Sequence, residues 1–387
     1  MSNKIDRRKW LRTGLLAAGS IPVLPSFLQA SSSSSAFACY ENQSDDSVAF
    51  EDLAVEIKAR LSANENPFGP SNLAKKAIED ALASSYQYSF GQTGILMKKI
   101  AEFEALKPEN IMLGSGSSPL LLAAAIHFSK NGGNIISGDP SYDDLPSKAA
   151  RLNGKWVKVP LTSDYQLDLA EMEKKVDANT SLVYICNPNN PTACALDTNA
   201  LRSFCERVSE KVPILIDEAY IDYLPDPKAS SMMDLIAKGK NIIIARTFSK
   251  LYGFAGLRVG YCAAQPAMIR QLSLYTPGAM GLSNTSLQAA IASYQDTTFL
   301  NDALQKTDAS KQYLYSVLKQ EGYEYIPSHA NFVLFPIKME GRQFVAEMSK
   351  RGVSIRSWQF NNKHWCRVSI GRMDEMQAFA AAFKEIS

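Results

Sequence analysis

Histidine is scarce in this chain. Of 387 residues only His127, His329 and His364 are histidine, too far apart to share a metal ion on one helix. Cysteine is little better represented: Cys39, Cys186, Cys194, Cys205, Cys262 and Cys366 form no C-x-x-C pair, which excludes a zinc ribbon and a thioredoxin-like centre. Most of them lie in apolar runs, where a free thiol packs as a small hydrophobe. Excess charge is missing too. Lys and Arg number 41 against 39 Asp and Glu, and a net +2 argues against an electrostatic grip on nucleic acid or an anionic membrane. No internal repeat is visible. A complete G-x-G-x-x-G is absent from "LGSGSSP", because Pro119 takes its last place.

What is present is the composition of an ordinary globular protein, 46% hydrophobic and 21% charged, long enough for two or more domains. The N-terminus stands apart. "DRRKWLRTGLLAAGSIPVLPSFLQA" pairs Arg7 with Arg8 ahead of Trp10 and Leu11, then runs into an apolar stretch broken by Gly14, Gly19, Pro22 and Pro25. That stretch is too short and interrupted for a membrane span. The arrangement resembles a twin-arginine (Tat) export signal, with Ser31 to Ser35 as a spacer and "AFA", Ala36 to Ala38, as a small-residue cleavage site. The expectation is export to the periplasm by the Tat machinery, with Cys39 as an alternative lipid anchor. A non-functional signal would leave the protein in the cytoplasm.

Beyond Asp52, helical patterns alternate with short β-rich runs, the layout of an α/β domain with a mainly parallel sheet and helices on both faces. Candidate strands are "NIMLG", "NIISG", "KWVKVP", "SLVYICN", "VPILID" and "NIIIA". Most end in residues that can face a ligand at the carboxyl edge of such a sheet. From about Leu282 the pattern turns to a long amphipathic helix, Ser286 to Gly322, and then to a smaller α+β domain containing "NFVLFPI", "VSIRSW" and "WCRVSIG". The expected division is 1–38 for the signal and spacer, 39–85 for an N-terminal arm that forms part of the small domain, 86–281 for the large domain and 282–387 for the small one.

Chemistry gathers where these strands end. "VPILID" closes on Asp217, with Tyr220 three residues later; "YICNPNNPTA" places Asn190 in a turn; "GDPSYDD" sets Tyr142 on a loop. Ser117 and Ser118 sit at the first turn of an apolar helix, where free N–H groups bind phosphate. "RTFSKLYGFAGLRVGY" adds Thr247, Ser249, Lys250 and Arg258, with Gly253, Gly256 and Gly260 expected to let the backbone turn closely. Each fragment is unremarkable alone, but together they match pyridoxal 5′-phosphate. Lys250 supplies the amine for its aldehyde and Asp217 the carboxylate for its pyridine nitrogen. Asn190 and Tyr220 supply partners for its phenolic oxygen, Tyr142 a flat face for its ring. Arg258, Thr247, Ser249 and the Ser117–Ser118 turn supply a phosphate cradle.

At these residues the sequence resembles the fold-type I aminotransferases of class I/II, in particular the histidinol-phosphate aminotransferase-like branch, from "LSANENPFGPS" (Leu61 to Ser71) to "CRVSIG" (Cys366 to Gly371). The resemblance implies a Schiff-base Lys250, with Asp217 and Tyr220 as its catalytic partners. It further implies a homodimer with shared active sites, in which Tyr88 of "YQYSFG" reaches the neighbouring subunit's phosphate. Arg367 is then the α-carboxylate arginine, Arg356 an arginine for the distal group, and Asn64 a third substrate contact. The implied substrates are an amino acid, or an amino phosphate such as histidinol phosphate, and a 2-oxo acid. Two departures stand out: Ala193 replaces the glycine of Asn-Pro-Thr-Gly, and "YSFG" lacks the branch's proline and acid, which leaves the substrate open. A lyase, decarboxylase or racemase would use the same lysine and aspartate, although Arg367 favours retention of the carboxylate. A remoter alternative is an exported Ser/Thr-Lys hydrolase, because "TFSK" approximates S-x-x-K; neither S-D-N nor K-T-G accompanies it.

Overall fold

The computed structural model describes residues 56–387, so the Tat-like segment and Cys39 lie outside the described residues. Twelve strands are described, β1 (Ala59–Arg60), β2 (Ile111–Gly114), β3 (Asn134–Asp139), β4 (Lys155–Pro160), β5 (Thr180–Cys186), β6 (Ile214–Asp217), β7 (Ile242–Thr247), β8 (Gly260–Ala263), β9 (Phe332–Ile337), β10 (Val353–Ser354), β11 (Arg356–Phe360) and β12 (Lys363–Ser369). Seven of them form the central sheet, in the order β2-β8-β7-β6-β5-β3-β4. The ladders β4–β3–β5–β6–β7 are parallel, while β8 runs antiparallel to both β7 and β2.

Both faces are covered because the strands are apolar at consecutive positions, as a parallel sheet buried on both sides requires. Ile136, Val183, Ile185, Ile214, Ile216, Ile242 and Ile244 pack against Leu96 and Ile100 of helix Phe90–Phe103 and Leu201 and Phe204 of helix Thr198–Val208. The alternate residues, among them Ile135, Leu182, Tyr184, Leu215, Ile243 and Ala245, face helices Ser118–Ser129 and Asp144–Leu152. A separate core surrounds the antiparallel sheet β11-β12-β9, filled by Phe335, Phe344, Met348, Phe379 and Phe383. Ala59 and Leu61 join that second core through the β1–β10 pair. The five described cysteines are unpaired.

Two expectations need correction. The single long helix is two, Asn284–Ser293 and Thr297–Gln320. Gln295 adopts a left-handed φ of 68°, and the Asp296 carboxylate accepts the Phe299 N–H at 3.2 Å, which ends one helix and caps the next. The amphipathic pattern ran through the break because both helices bury one face. The glycine-rich turn also contains a strand that pattern reading overlooked, "GYCA" of β8. Gly260 belongs to it, and a Cβ there would strike the backbone of Gly116 and Ser117. Gly256, by contrast, has open space around it and needs no glycine.

Candidate active site

Strands β3, β5, β6 and β7 end on one edge, and their outgoing loops carry the predicted residues. Asp217 closes β6, Thr247 closes β7 just before Ser249 and Lys250, Asn190 follows β5, and Tyr142 follows β3. Ser117 precedes and Ser118 opens the helix after β2. Residues more than a hundred positions apart in sequence therefore share one rim.

Asp217 is buried. Its Oδ2 accepts the Tyr184 hydroxyl at 3.2 Å, and its Oδ1 the Ala219 N–H at 3.1 Å. Burial outweighs these bonds and pushes the carboxyl up to about 6. Lys250 Nζ donates to the Ala63 carbonyl at 3.3 Å and lies 5.5 Å from the centre of the Tyr220 ring. Burial, reinforced by the positive charge of Arg367, lowers this amine from 10.5 to about 8. At pH 7 about a tenth of it is neutral, against about three parts in ten thousand for an ordinary lysine. Such a lysine is a usable nucleophile and base.

Tyr220 accepts a hydrogen bond from Asn64 Nδ2 at 3.0 Å. Asn64 is buried with a φ of 54°, and its Oδ1 accepts the Ser369 hydroxyl at 2.9 Å, so much of its amide serves to hold Tyr220. Arg367 donates from Nη1 to Asn190 Oδ1 and from Nη2 to the Ser62 carbonyl, both at 2.7 Å. Its guanidinium carbon lies 4.6 Å from the Trp358 ring centre and 5.3 Å from that of Phe332. Burial lowers it to about 10. Its Nε is buried with no hydrogen-bond acceptor among the described residues. Arg356, half-buried, is its cross-strand neighbour on β11.

The third cluster is an anion cradle. Arg258 donates from Nη1 to Ser249 Oγ at 3.3 Å and to the Ala255 carbonyl at 2.9 Å, and from Nη2 to the Ser115 carbonyl at 3.3 Å. Thr247 Oγ1 donates to Ser249 Oγ at 2.9 Å. Gly116 has a φ of 85°, and a Cβ there would collide with Arg258 Nη2; the guanidinium occupies the space that glycine leaves. Tyr88 stands outside this group. It is 78% exposed, with its ring beside Phe90.

Sequence reasoning missed Tyr184, which binds Asp217, and left Arg246 without a role. Arg246 is buried on the opposite face of the sheet, donating from Nε to Glu218 Oε2 at 2.9 Å and from Nη1 to Glu104 Oε1 at 2.8 Å. The available signal was its even position in a strand whose even residues, Ile242 and Ile244, face the core.

This arrangement, a buried acid and a half-buried lysine beside a cationic cradle on an α/β sheet edge, defines a class of enzyme that anchors a phosphorylated aldehyde cofactor. Comparison with known proteins agrees. The family model for class I and II aminotransferases matches residues 56–383. A histidinol-phosphate aminotransferase of Moorella thermoacetica is 33% identical over 337 residues, 87% of each chain. An aromatic amino acid aminotransferase of Mycolicibacterium vanbaalenii is 33% identical over 324 residues, 83% of this chain and 90% of that one. The crystal structure of a histidinol-phosphate aminotransferase from Sinorhizobium meliloti in complex with pyridoxal 5′-phosphate aligns with a TM-score of 0.75 at 28% identity, covering 85% of this chain and 90% of the other. The chain belongs to the class I and II aminotransferases, and it is a pyridoxal 5′-phosphate-dependent aminotransferase.

The residues present fit that cofactor. Arg258 with Thr247 and Ser249 suits its phosphate, the glycine at 116 makes room for the guanidinium, and the depressed amine of Lys250 suits its aldehyde. Gly116→Ala should displace Arg258 and weaken cofactor affinity by about tenfold or more, the equivalent of losing one charge-assisted hydrogen bond. Equilibrium dialysis against the cofactor, with circular dichroism to confirm the fold, measures this.

Proposed function

We propose that Lys250 carries the cofactor, that Asp217 partners its pyridine nitrogen, and that the enzyme moves an amino group from an amino acid to a 2-oxo acid. The observation that carries this reading is the half-buried Lys250, its amine lowered to about 8, near a buried Arg367 whose Nε lacks an acceptor among the described residues. When bound, the cofactor supplies an electron sink for charge developing at the substrate Cα. The chain does the rest. Asp217 would hold the proton on the pyridine nitrogen, Tyr220 and Asn190 would hold the phenolic oxygen, and Tyr142 would cover the ring. Arg258, Thr247, Ser249, Ser117 and Ser118 hold the phosphate. The Lys250 amine would be the base for the Cα proton. Arg367, wedged between Trp358 and Phe332, receives the substrate anion, and retention of that anion favours transamination over decarboxylation. Arg356 is placed for a second anionic group, with Asn64 supporting Tyr220 at the pocket wall.

The substrate follows from mixing enzyme with single amino donors while its visible absorbance is recorded. An amino acid, an aromatic one among them, is expected to convert the band, and Lys250→Ala to lose both band and turnover. Conversion by histidinol phosphate alone would make the amino phosphate the substrate, and full turnover by Lys250→Ala would remove the lysine from its role.

The same reading extends to a homodimer in which Tyr88 completes the neighbouring cradle, which accounts for a tyrosine 78% exposed within one chain. A mixed dimer of Lys250→Ala and Tyr88→Phe chains should regain cofactor affinity at its one intact site, relative to Tyr88→Phe alone. Independent restoration-free behaviour, with mixed and pure dimers alike, would sink it. We further propose export through the Tat route on the strength of Arg7, Arg8, Trp10 and Leu11. Replacing both arginines by lysine should move the protein from the periplasmic to the cytoplasmic fraction; an unchanged distribution contradicts it.

A further inference from the structure

Behind the sheet edge, opposite the cofactor residues, lies a buried ion network with no part in the chemistry described so far. Arg246 sits at its centre, bonded through Nε to Glu218 and through Nη1 to Glu104, with Nη1 also 3.4 Å from the Tyr261 hydroxyl. Tyr261 in turn donates to Glu104 Oε1 at 3.0 Å, and Tyr294 to the same oxygen at 3.5 Å. Glu218 also accepts the Ser231 hydroxyl at 2.8 and 2.9 Å and the Met232 N–H at 3.2 Å. Every member is buried.

The placement of this network in the chain matters more than its size. Glu218 is the residue after Asp217, and Arg246 is the residue before Thr247, which leads through Ser249 to Lys250. Tyr261 is the cross-strand partner of Arg246 on β8. The last ladder contact between the two parallel strands is Glu218 N–H to the Ala245 carbonyl at 2.9 Å. Beyond it no backbone bond of that ladder holds Asp217 relative to the Lys250 loop. The Arg246–Glu218 pair takes over there, on the reverse face.

We propose that the Arg246–Glu218–Glu104 network is a positioning device that sets where Asp217 stands relative to Lys250 and the phosphate cradle. It acts through the backbone, so its members are positioning residues. The proposal rests on the assignment of Asp217 and Lys250 given above. A planar guanidinium giving one N–H to each of two carboxylates fixes both distance and plane, which a lysine at 246 would not reproduce. A small displacement of a group aimed at a reacting atom is enough to cost rate.

The structure also supplies the means to test it. A partly open cavity of about 290 Å³, lined by Asp222, Tyr252, Tyr294, Thr297 and Asn301, reaches Arg246, so a small solute can replace the missing guanidinium in a truncated variant. Glu218→Gln, Arg246→Lys and Arg246→Ala would be compared as holoenzymes with Phe204→Leu, a core change on the same face without charge. The readouts are melting temperature, kcat, KM, and the pH midpoint of the visible band of the lysine-bound cofactor. If the network positions Asp217, kcat falls by about tenfold while KM stays within about twofold. The band midpoint moves upward, because a ring nitrogen that loses its carboxylate loses its proton and its positive charge. Guanidinium, but not methylammonium, restores both in Arg246→Ala. Phe204→Leu lowers melting temperature and leaves the midpoint in place.

Should Arg246→Ala fail to fold, Glu218→Gln decides alone, since the amide keeps the shape while removing the charge and one of the two acceptor oxygens. A lowered melting temperature with unmoved midpoint and kcat in Glu218→Gln overturns the proposal and reduces the network to a structural brace. A band that survives in Lys250→Ala overturns the underlying site assignment instead, so the two failures are distinct.

Discussion

The site depends on the period of two along β6 and β7. In β6, Ile214 and Ile216 enter one core while Leu215 enters the other, on the side to which Asp217 also belongs. In β7, Ile242 and Ile244 go one way and Ile243 and Ala245 the other. Arg246 and Thr247 continue the alternation and end on opposite faces. A slip of one residue in β6 would put Ile216 or Glu218 in the place of Asp217, and one in β7 would put Arg246 on the face of Thr247, burying the wrong set of side chains against the helices. Parallel pairing then brings the ends of both strands, with those of β5 and β3, to a single edge.

Burial works on the two central titrating groups in opposite directions. It raises the Asp217 carboxyl to about 6 and lowers the Lys250 amine to about 8, bringing an acid and a base that normally differ by more than six units close to neutrality. Burial is the largest cause of both shifts, and the charge of Arg367 adds to that of Lys250. The reverse face solves the same problem by pairing, with Arg246 between Glu218 and Glu104. Breaking such a pair by removing one partner costs about 3–5 kcal/mol, so this arrangement tolerates little change.

Much of the central sheet was legible because its strands are short apolar runs bounded by polar turn residues. "KWVKVP" coincides with β4, and "NIMLG", "NIISG", "SLVYICN", "VPILID" and "NIIIA" each overlap an observed strand. The misses have local causes. β8 has four residues and begins on a glycine inside an apparent turn, leaving too little periodicity to register. The helix break at Gln295 falls where the apolar stripe of one helix happens to continue into the next. Among site residues, Asp217, Asn190 and Lys250 were readable because each closes or follows a recognisable strand. Tyr184 was not, since it lies in mid-strand, where an apolar packing role is the ordinary one. Asn64 could be noticed, but its bond to Tyr220 spans 156 positions in the chain.

By itself the sequence determined the identity and order of the chemical groups: an acid at one strand end, a lysine after another, and an arginine eight residues on. Those are local properties of strand length, turn chemistry and spacing. Tertiary structure alone decided that Arg246 faces away from the Arg258 cluster while Thr247 joins it through Ser249, and that Tyr184 holds Asp217. It alone decided that Arg367 is left with one buried, unpaired Nε. The physical reason is that burial and partner choice are set by which strands lie side by side, and adjacency in a sheet is not written at any single position in the chain.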